Sequence, residues 1–201
     1  MYKIKKIVSG AFYTNTYVLS NNKNECIIID PTLSLKDYAE DINTKYNVKG
    51  ILLTHGHVDH IDGIRYFNCP IYCYSLEKAL IENDDYNLYQ MLGKKSFLPN
   101  NLDFRYVNDG DIINLIGLDI KVIYTPGHTN GSCCYLIGDK LFSGDTMFYH
   151  SVGRSDFPTG NEKKLRDSIK KLLELNNNIK VYPGHDSKTT IREESKFNPY
   201  R

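Results

Sequence analysis

Short apolar runs, most of them alternating or β-branched, recur along the chain and predict strands. The predicted strands cover about 2–8, 12–19, 25–29, 49–53, 70–74, 104–107, 112–116, 118–124, 132–137, 140–143 and 179–182. Helical spacing predicts helices at 34–46, 59–66, 75–82 and 161–175, with a last helical turn near 188–195. Ser34 opens the first helix, and Leu165, Ile169, Leu172 and Leu173 give the fourth helix one buried face. Strands followed by a helix, twice over, favour an α/β domain in which two sheets pack face to face with helices outside.

Composition is that of a globular domain. The chain has 201 residues, of which 41% are apolar and 24% charged, and we expect one domain spanning 1–201. A net charge of +1 gives no case for binding nucleic acid or a membrane surface. Residues 1–7 alternate like a strand, and no apolar run approaches the ~20 residues of a membrane helix. We therefore expect a cytoplasmic protein whose five cysteines are reduced thiols, and the oligomeric state is left open.

Residues 54–60 concentrate metal-binding side chains. Three of the six histidines and one aspartate stand there: His55, His57, Asp59 and His60. Neutral imidazole and carboxylate are donors that suit borderline divalent metals. Four donors on so short an arc of backbone cannot all reach one small ion without strain. The segment therefore predicts donors divided between two adjacent ions, in preference to a surface histidine cluster.

Three further donors, His128, Asp145 and His185, each follow a short strand-like run that ends in glycine. Glycine and proline set tight turns that lift a side chain off the end of a strand. Loops at the ends of a rigid sheet are where functional sites are usually built. Any one of these side chains alone could be an ordinary turn residue. All three in the same arrangement, added to the first cluster, predict a metal site.

This donor pattern resembles that of the metallo-β-lactamase superfamily of metallohydrolases, from residues 28–31 to the last histidine. Residues 144–148 (GDTMF) and 153–158 (GRSDFP) are most similar to glyoxalase II and its shorter relatives. The resemblance implies a four-layer αββα sandwich of two mixed β-sheets. It also implies two sets of metal ligands joined by a shared one. In this sequence those residues are His55, His57 and His128 for one metal, Asp59, His60 and His185 for the second, and Asp145 as the bridge.

The same resemblance implies the cofactors and the chemistry. Two divalent ions are expected, zinc first, with iron and manganese as alternatives that the same donors accept. Two such ions, offset by Asp59, Asp145 and a bridging hydroxide, leave about one net positive charge. The ions lower the pKa of the bridging water to about 7 and make it a nucleophile. We expect it to attack a thioester carbonyl, as in hydroxyacylglutathione hydrolases, with Asp59 as the catalytic residue that orients it or relays its proton. The expected partner is a small-molecule thioester or a related anionic substrate.

One departure from glyoxalase II bears on the substrate. That enzyme carries a helical extension beyond the last metal histidine, which supplies basic groups for glutathione. Here 16 residues follow His185, and Lys188, Arg192 and Lys196 are the basic side chains that could replace part of that contact. The sequence therefore supports a hydrolase better than it supports a hydroxyacylglutathione hydrolase.

Three alternatives stay open. Persulfide dioxygenases share the implied fold but use one iron, which His55, His128 and Asp145 would hold as an open triad. A β-lactamase is disfavoured, because Asp145 stands where the usual zinc-binding lactamases have cysteine. A non-catalytic binding module is disfavoured too, since such a protein should have lost some ligands and every ligand position is filled here.

Other side chains are candidates for supporting roles. We predict substrate contacts from Arg154, Tyr86 and Tyr89, and we predict that Asp30 orients a ligand histidine or its loop from outside the ligand set. Arg154 either contacts an anion beside the metals or pairs with Asp156. His150, the histidine outside the donor pattern, is predicted to be an ordinary loop residue.

The two tyrosines lie in the irregular segment 83–101, which also carries Met91, Phe97 and Pro99. A segment of this length without periodicity is either a wall or lid of the site, or a satellite hydrophobic cluster.

Overall fold

The computed structural model describes residues 2–32, 35–93, 95–96, 98–99 and 101–201. Its first sheet has six strands that pair in the order in which they occur along the chain. They are β1 (Lys3–Ser9), β2 (Thr14–Ser20), β3 (Glu25–Ile29), β4 (Asn47–Leu52), β5 (Ile71–Tyr74) and β6 (Phe104–Val107). The pairs from β1 to β3 are antiparallel and those from β3 to β6 are parallel, so the sheet is mixed.

The second sheet contains β7 (Ile112–Leu115), β8 (Leu118–Tyr124), β9 (Cys133–Ile137), β10 (Lys140–Gly144), β13 (Lys180–Pro183) and β14 (Thr189–Thr190). Its spatial order is β14-β13-β10-β9-β8-β7. Only the β10–β13 pair in it is parallel among the described residues. Between β10 and β13 along the chain, β11 (Met147–Phe148) and β12 (Ser151–Val152) form a short antiparallel ladder.

The α-helices are α1 (Lys36–Lys45), α2 (Val58–Ile61), α3 (Lys78–Ile81), α4 (Glu162–Leu173) and α5 (Ile191–Phe197). Three 3₁₀ turns, Asp62–Tyr66, Ser75–Glu77 and Gln90–Leu92, lie next to or between them. In α4 the cap residue Asn161 accepts the Lys164 backbone N–H, and Leu165, Ile169 and Leu172 form the predicted buried face. None of the described helices combines the length and apolarity that crossing a membrane requires.

Three apolar clusters divide the molecule into four layers. The central cluster lies between the sheets, where Tyr17 and Ile29 of the first sheet meet Val122 and Tyr135 of the second. One outer cluster joins the far face of the first sheet to α1 and α2, and the other joins the far face of the second sheet to α4 and α5. The predicted α/β class and the αββα sandwich are therefore confirmed.

The element boundaries differ from the sequence prediction in the short helices. The predicted helix 59–66 is one α-helical turn followed by a 3₁₀ turn, and 75–82 is a 3₁₀ turn followed by α3. At Gly63 the chain lies against the Pro31 and Thr32 carbonyls, where a Cβ would clash, so this segment is fixed by tertiary contact rather than by helical periodicity. The predicted turn at 188–195 begins as β14, and the predicted helix-opening Ser34 lies outside the described residues.

Candidate metal centre

All seven predicted donors meet at one edge of the two sheets, in the segments that follow β4, β8, β10 and β13. Asp59 and His60 belong to α2, and the other five lie in loops. The ends of β10 and β13 are joined there by the Gly184 N–H donating to the Gly144 carbonyl at 2.8 Å. The approach is so close that a Cβ on Gly184 would lie 2.2 Å from Asp145 Oδ1. Glycine at this position is therefore what lets the last two donor loops touch.

The loop after β4 is held just as tightly. A Cβ on Gly56, between the first two histidines, would lie 2.6 Å from the Ile81 side chain and 2.7 Å from that of Leu80. The loop therefore packs directly on α3, which aims His55 and His57 to the same side. Both imidazoles are almost completely buried.

The donors form two groups. The first donor group is His55, His57 and His128, and the second donor group is Asp59, His60 and His185. In the first, His128 Nε2 lies 2.9 Å from His57 Nδ1 and 3.2 Å from His55 Nε2. In the second, Asp59 Oδ2 lies 3.4 Å from His60 Nε2 and 3.4 Å from His185 Nε2.

Asp145 lies between the two groups. Its Oδ2 is 3.6 Å from His128 Nε2 in the first group and 3.3 Å from His185 Nε2 in the second. Its Oδ1 is 3.4 Å from His60 Nε2. Asp145 also forms a third set of close donors with His55 and His60, one from each group. It therefore lies between the two groups, at the position that the sequence predicted for the bridge.

These distances fit metal ions. Donors at about 2.0–2.1 Å from a tetrahedral ion stand about 3.3 Å from one another, which is close to the separations in both groups. His60 Nε2 and Asp145 Oδ1 are buried without a hydrogen-bond partner, a costly state that a cation would relieve. The donor chemistry, imidazole nitrogen with carboxylate oxygen, suits zinc, iron or manganese.

Hydrogen bonds from residues behind the donors orient three of the five donor histidines. His60 Nδ1 lies 3.1 Å from Asp30 Oδ2, and His128 Nδ1 lies 2.7 Å from the Arg154 carbonyl. His185 Nδ1 lies 3.0 Å from the Phe12 carbonyl. Because those oxygens accept hydrogen bonds, each ring carries its proton on Nδ1 and turns Nε2 towards the cluster.

Asp30 serves the first donor group as well. Its Oδ1 accepts the Thr54 backbone N–H at 2.8 Å, and its Oδ2 accepts the Thr54 hydroxyl at 2.6 Å. The Thr54 oxygen in turn lies 3.1 Å from His55 Nδ1. Asp30 therefore lies where it can orient both His60 and the loop that carries His55.

The two groups differ in protonation. Burial lowers the pKa of His55 and His57 well below the usual value, and neighbouring histidines lower it further. In the second group burial also lowers the pKa of His185, but Asp145 and Asp59 outweigh it and raise the pKa to about 10. Burial raises the pKa of Asp59, yet the adjacent histidines hold it well below its usual range.

Glu77 is a buried residue at the site that the sequence analysis missed. Its Oε2 accepts the Gly56 backbone N–H at 2.7 Å, and its Oε1 accepts the Thr129 hydroxyl at 2.6 Å and the Gly131 N–H at 2.8 Å. One fully buried carboxylate therefore ties the His55–His57 loop to the loop of His128. Burial raises its pKa to about 7, although these hydrogen bonds oppose the shift.

The predicted substrate contacts need correction. Tyr89 is fully buried and its hydroxyl donates to Asp62, so it is a structural residue of the outer core. Tyr86 is exposed but does not line the cavity beside the donors. Arg154 does line that cavity, and it also forms the predicted pair with Asp156, through contacts of 2.9 and 2.7 Å.

The irregular segment 83–101 combines both proposed roles. Leu88 and Tyr89 pack in the apolar cluster outside the first sheet, which is the satellite role. Leu88, Met91 and Leu92 line the cavity, which is the wall role. Phe97 lies outside the described residues. His150 is 3.0 Å from Glu193 and is not part of the donor cluster, as predicted.

Comparison with known proteins agrees with this geometry. Residues 9–185 match the family model of the metallo-beta-lactamase superfamily. Hydroxyacylglutathione hydrolase GloC of Haemophilus influenzae is 33% identical over 98% of this chain and 97% of its own length. Among solved structures, BLEG-1 B3 metallo-beta-lactamase is 30% identical with a TM-score of 0.90, covering 98% of this chain and 99% of its own. TTHA1623, solved in a di-iron-bound form, is 31% identical with a TM-score of 0.84. The match covers 98% of this chain and 100% of TTHA1623. The chain belongs to the metallo-β-lactamase superfamily and is a hydrolase of that superfamily.

Proposed function

We propose that this protein hydrolyses thioesters, in the manner of hydroxyacylglutathione hydrolases, with two divalent metal ions held by the seven donors. The observation that carries the proposal is the pair of three-donor groups with Asp145 between them. The Haemophilus influenzae relative supports a thioester, because it bears the name hydroxyacylglutathione hydrolase and matches over nearly its whole length. Zinc is the first candidate metal, and TTHA1623 is the reason to test iron beside it.

Bound ions would activate a water molecule at neutral pH and polarise the carbonyl under attack. The residues of the chain supply the geometry. The buried imidazoles of the first donor group need no large movement to ligate, since their hydrogen bonds already fix the rings of His55 and His128. Asp59 lines the cavity, and we assign its carboxylate the role of accepting the proton of the attacking water.

The reaction balances without any further reactant. The oxygen of water bonds to the acyl carbon, and the carbon–sulfur bond breaks with its electron pair leaving on sulfur. The proton taken up by Asp59 passes to the thiolate, so the products are a carboxylic acid and a thiol. No serine or cysteine nucleophile is required, and burial raises the pKa of Cys73 and Cys26 to about 12, which leaves them unreactive thiols.

The test combines metal content with a substrate panel. Protein purified without chelator should contain close to two ions per chain by elemental analysis, and thiol release from S-D-lactoylglutathione and simpler thioesters should be followed with a chromogenic thiol reagent. Removing the metal should abolish thiol release, and adding zinc or iron back should restore it. A β-lactam and glutathione persulfide with oxygen complete the panel.

Two results would overturn the proposal. One ion per chain at saturating metal, with oxygen consumed in the presence of glutathione persulfide and no thioester cleaved, would favour the mononuclear dioxygenase. Cleavage of the β-lactam without cleavage of any thioester would favour a lactamase.

A further inference from the structure

A cavity of about 350 Å³ opens beside the donor cluster. Five of the residues that line it are predicted metal donors. Of the nine others among the described residues, eight are apolar, and Leu88, Met91, Phe148, Val152 and Phe157 are among them. The walls next to the reacting centre are therefore almost entirely hydrocarbon, apart from the donors.

Apart from the donors, Arg154 is the single cationic side chain among the described residues of that lining, and it already pairs with a carboxylate. Its guanidinium contacts both carboxylate oxygens of Asp156, through Nε at 2.9 Å and Nη2 at 2.7 Å. It also lies over the Phe157 ring, 4.1 Å from the centroid. Asp156 therefore occupies the Nε–Nη2 edge of this guanidinium and offsets its charge.

The rim of the cavity exposes large apolar side chains to water. Phe12 is 47% exposed and Met91 is 60% exposed, although both belong to the cavity lining. Apolar surface that is gathered around a concave site marks a place for an apolar ligand. Methionine also adapts its shape to ligands of different outline.

We propose that this cavity binds an apolar substituent of the thioester, an alkyl or aryl group rather than a hydroxyacyl or peptide group. The inference rests on the proposed function, since it names which thioesters the same site prefers. At about 30 Å³ for each water-sized group, the volume accommodates on the order of ten non-hydrogen atoms, such as a hexanoyl or benzoyl group. The substituent can belong to the acyl side or to the thiol side of the thioester.

Two substrate series separate these sides. In the first, the thiol is constant and the acyl group is acetyl, butanoyl, hexanoyl, benzoyl or D-lactoyl. In the second, the acyl group is acetyl and the thiol is ethanethiol, hexanethiol, benzyl mercaptan or glutathione. One series should show kcat/KM rising about fourfold for each methylene added, up to the capacity of the cavity. Where the acyl series is the one that shows the rise, kcat/KM for the D-lactoyl substrate should fall below that for the butanoyl substrate of similar size.

A matched pair of variants assigns the preference to the cavity. Val152→Thr replaces a methyl group by a hydroxyl group in the cavity lining, with little change of shape. Val8→Thr makes the same change at an exposed position of β1, outside the lining. The ratio of kcat/KM for the longest to the shortest substrate should fall at least threefold in Val152→Thr. It should equal that of the unaltered protein in Val8→Thr.

Binding of products to the metal-loaded protein keeps the two proposals distinguishable. By calorimetry, hexanoate or hexanethiol should bind more tightly than acetate, D-lactate or ethanethiol. If thioesters are cleaved but neither series favours apolar groups, the cavity inference is wrong and the proposed function stands. If no thioester is cleaved yet hexanoate or hexanethiol binds preferentially and Val152→Thr weakens it, the proposed function is wrong and the apolar preference stands. Equal binding of all these products, with no thioester cleaved, overturns both.

Discussion

The first and second donor groups reach the same kind of site by different means. His55, His57 and His128 form a group of imidazoles alone, at most 3% exposed, although His57 and His128 reach the wall of the cavity. The second group contains a carboxylate, and its Asp59 and His185 side chains are 16% and 20% exposed. Both groups therefore border the cavity, but the first is the more deeply buried, and Asp59 and His185 of the second are the donors most open to it.

The difference extends to charge. Imidazoles of the first group are held neutral by burial and by one another, which is the form that ligates a metal. In the second group the carboxylates draw protons onto the histidines, and His185 has its pKa raised to about 10. Outside residues orient rings in both groups, but only the second group also contains internal pairs of carboxylate and imidazole. This contrast predicts which substitutions affect both groups and which affect one.

The largest effect should come from Asp145→Asn, because this residue is the carboxylate that lies between the two groups. Asparagine keeps the shape but removes a negative charge that offsets two metal ions, so the ions repel each other more strongly. We expect the loss of at least one ion per chain and a fall in kcat/KM of about a thousandfold or more. Elemental analysis and thiol release measure the two effects.

His150→Asn is the control for that substitution. His150 lies outside the cluster, and its backbone φ of 54° is one that asparagine accepts readily. Metal content and activity should both be unchanged. Retention of two ions and most of the activity by Asp145→Asn would mean that Asp145 does not join the two groups.

A smaller effect, confined to the first donor group, is expected from Glu77→Gln. The glutamine oxygen can still accept from Thr129 and Gly131, but its amide group would then face the Gly56 N–H with two more donors. The His55–His57 loop loses its anchor, and metal affinity of the first group should fall about 10- to 100-fold. A two-step titration against a chromogenic chelator would resolve the affinity of each group.

Glu194→Gln is the matched control, since Glu194 is also fully buried and accepts the Thr189 hydroxyl at 2.7 Å, outside the donor cluster. Glu194→Gln should lower the stability of the protein without changing the metal affinity of either donor group. Equal losses of affinity in the two variants would show that Glu77 acts through stability alone.

Glu77 should also make the stability of the metal-free protein depend on pH. Its pKa of about 7 in the folded chain exceeds the 4.5 of the unfolded chain, so the unfolded state releases the proton first. The unfolding free energy therefore falls as pH rises from 4.5 to 7, by roughly 3 kcal/mol from this residue. Between pH 4.5 and 7, the unfolding free energy of the unaltered protein should therefore approach that of Glu77→Gln by about this amount. Above pH 7 the difference between the two should stay constant.

Glu77 also marks the limit of what the sequence predicts about the site. The seven donors were predictable because metal-binding side chains are uncommon and stand beside glycines that the sequence displays. Glu77 is an acidic residue in a predicted helix, and two of its three partners are backbone N–H groups, which leave no trace in the sequence. Its burial arises from the packing of two separate loops on the 3₁₀ turn that carries it, which spacing along the chain does not encode.

Dependence on spacing along the chain also explains which strands the sequence predicted and which it did not. Alternating runs predicted the long strands, because one face of each packs against the opposite sheet. The two-residue strands β11, β12 and β14 are too short to carry a period, and they were not predicted. The sequence predicted a substrate contact at Tyr89, because its segment has no periodicity that would distinguish a buried face from an exposed one. In the structure it is fully buried.

The smallest effect, confined to the second donor group, should come from Thr14→Val. The Thr14 hydroxyl donates at 2.8 Å to Asp59 Oδ2, the oxygen that faces His60 and His185. Valine has nearly the same shape, so the loss is one hydrogen bond, worth about 1 kcal/mol or roughly fivefold in affinity. The chelator titration should show the second ion weakened by that factor and the first unchanged. Thr189→Val removes a similar bond, to Glu194, and should change neither affinity. Equal weakening of both ions by Thr14→Val would mean that the two donor groups are not held independently.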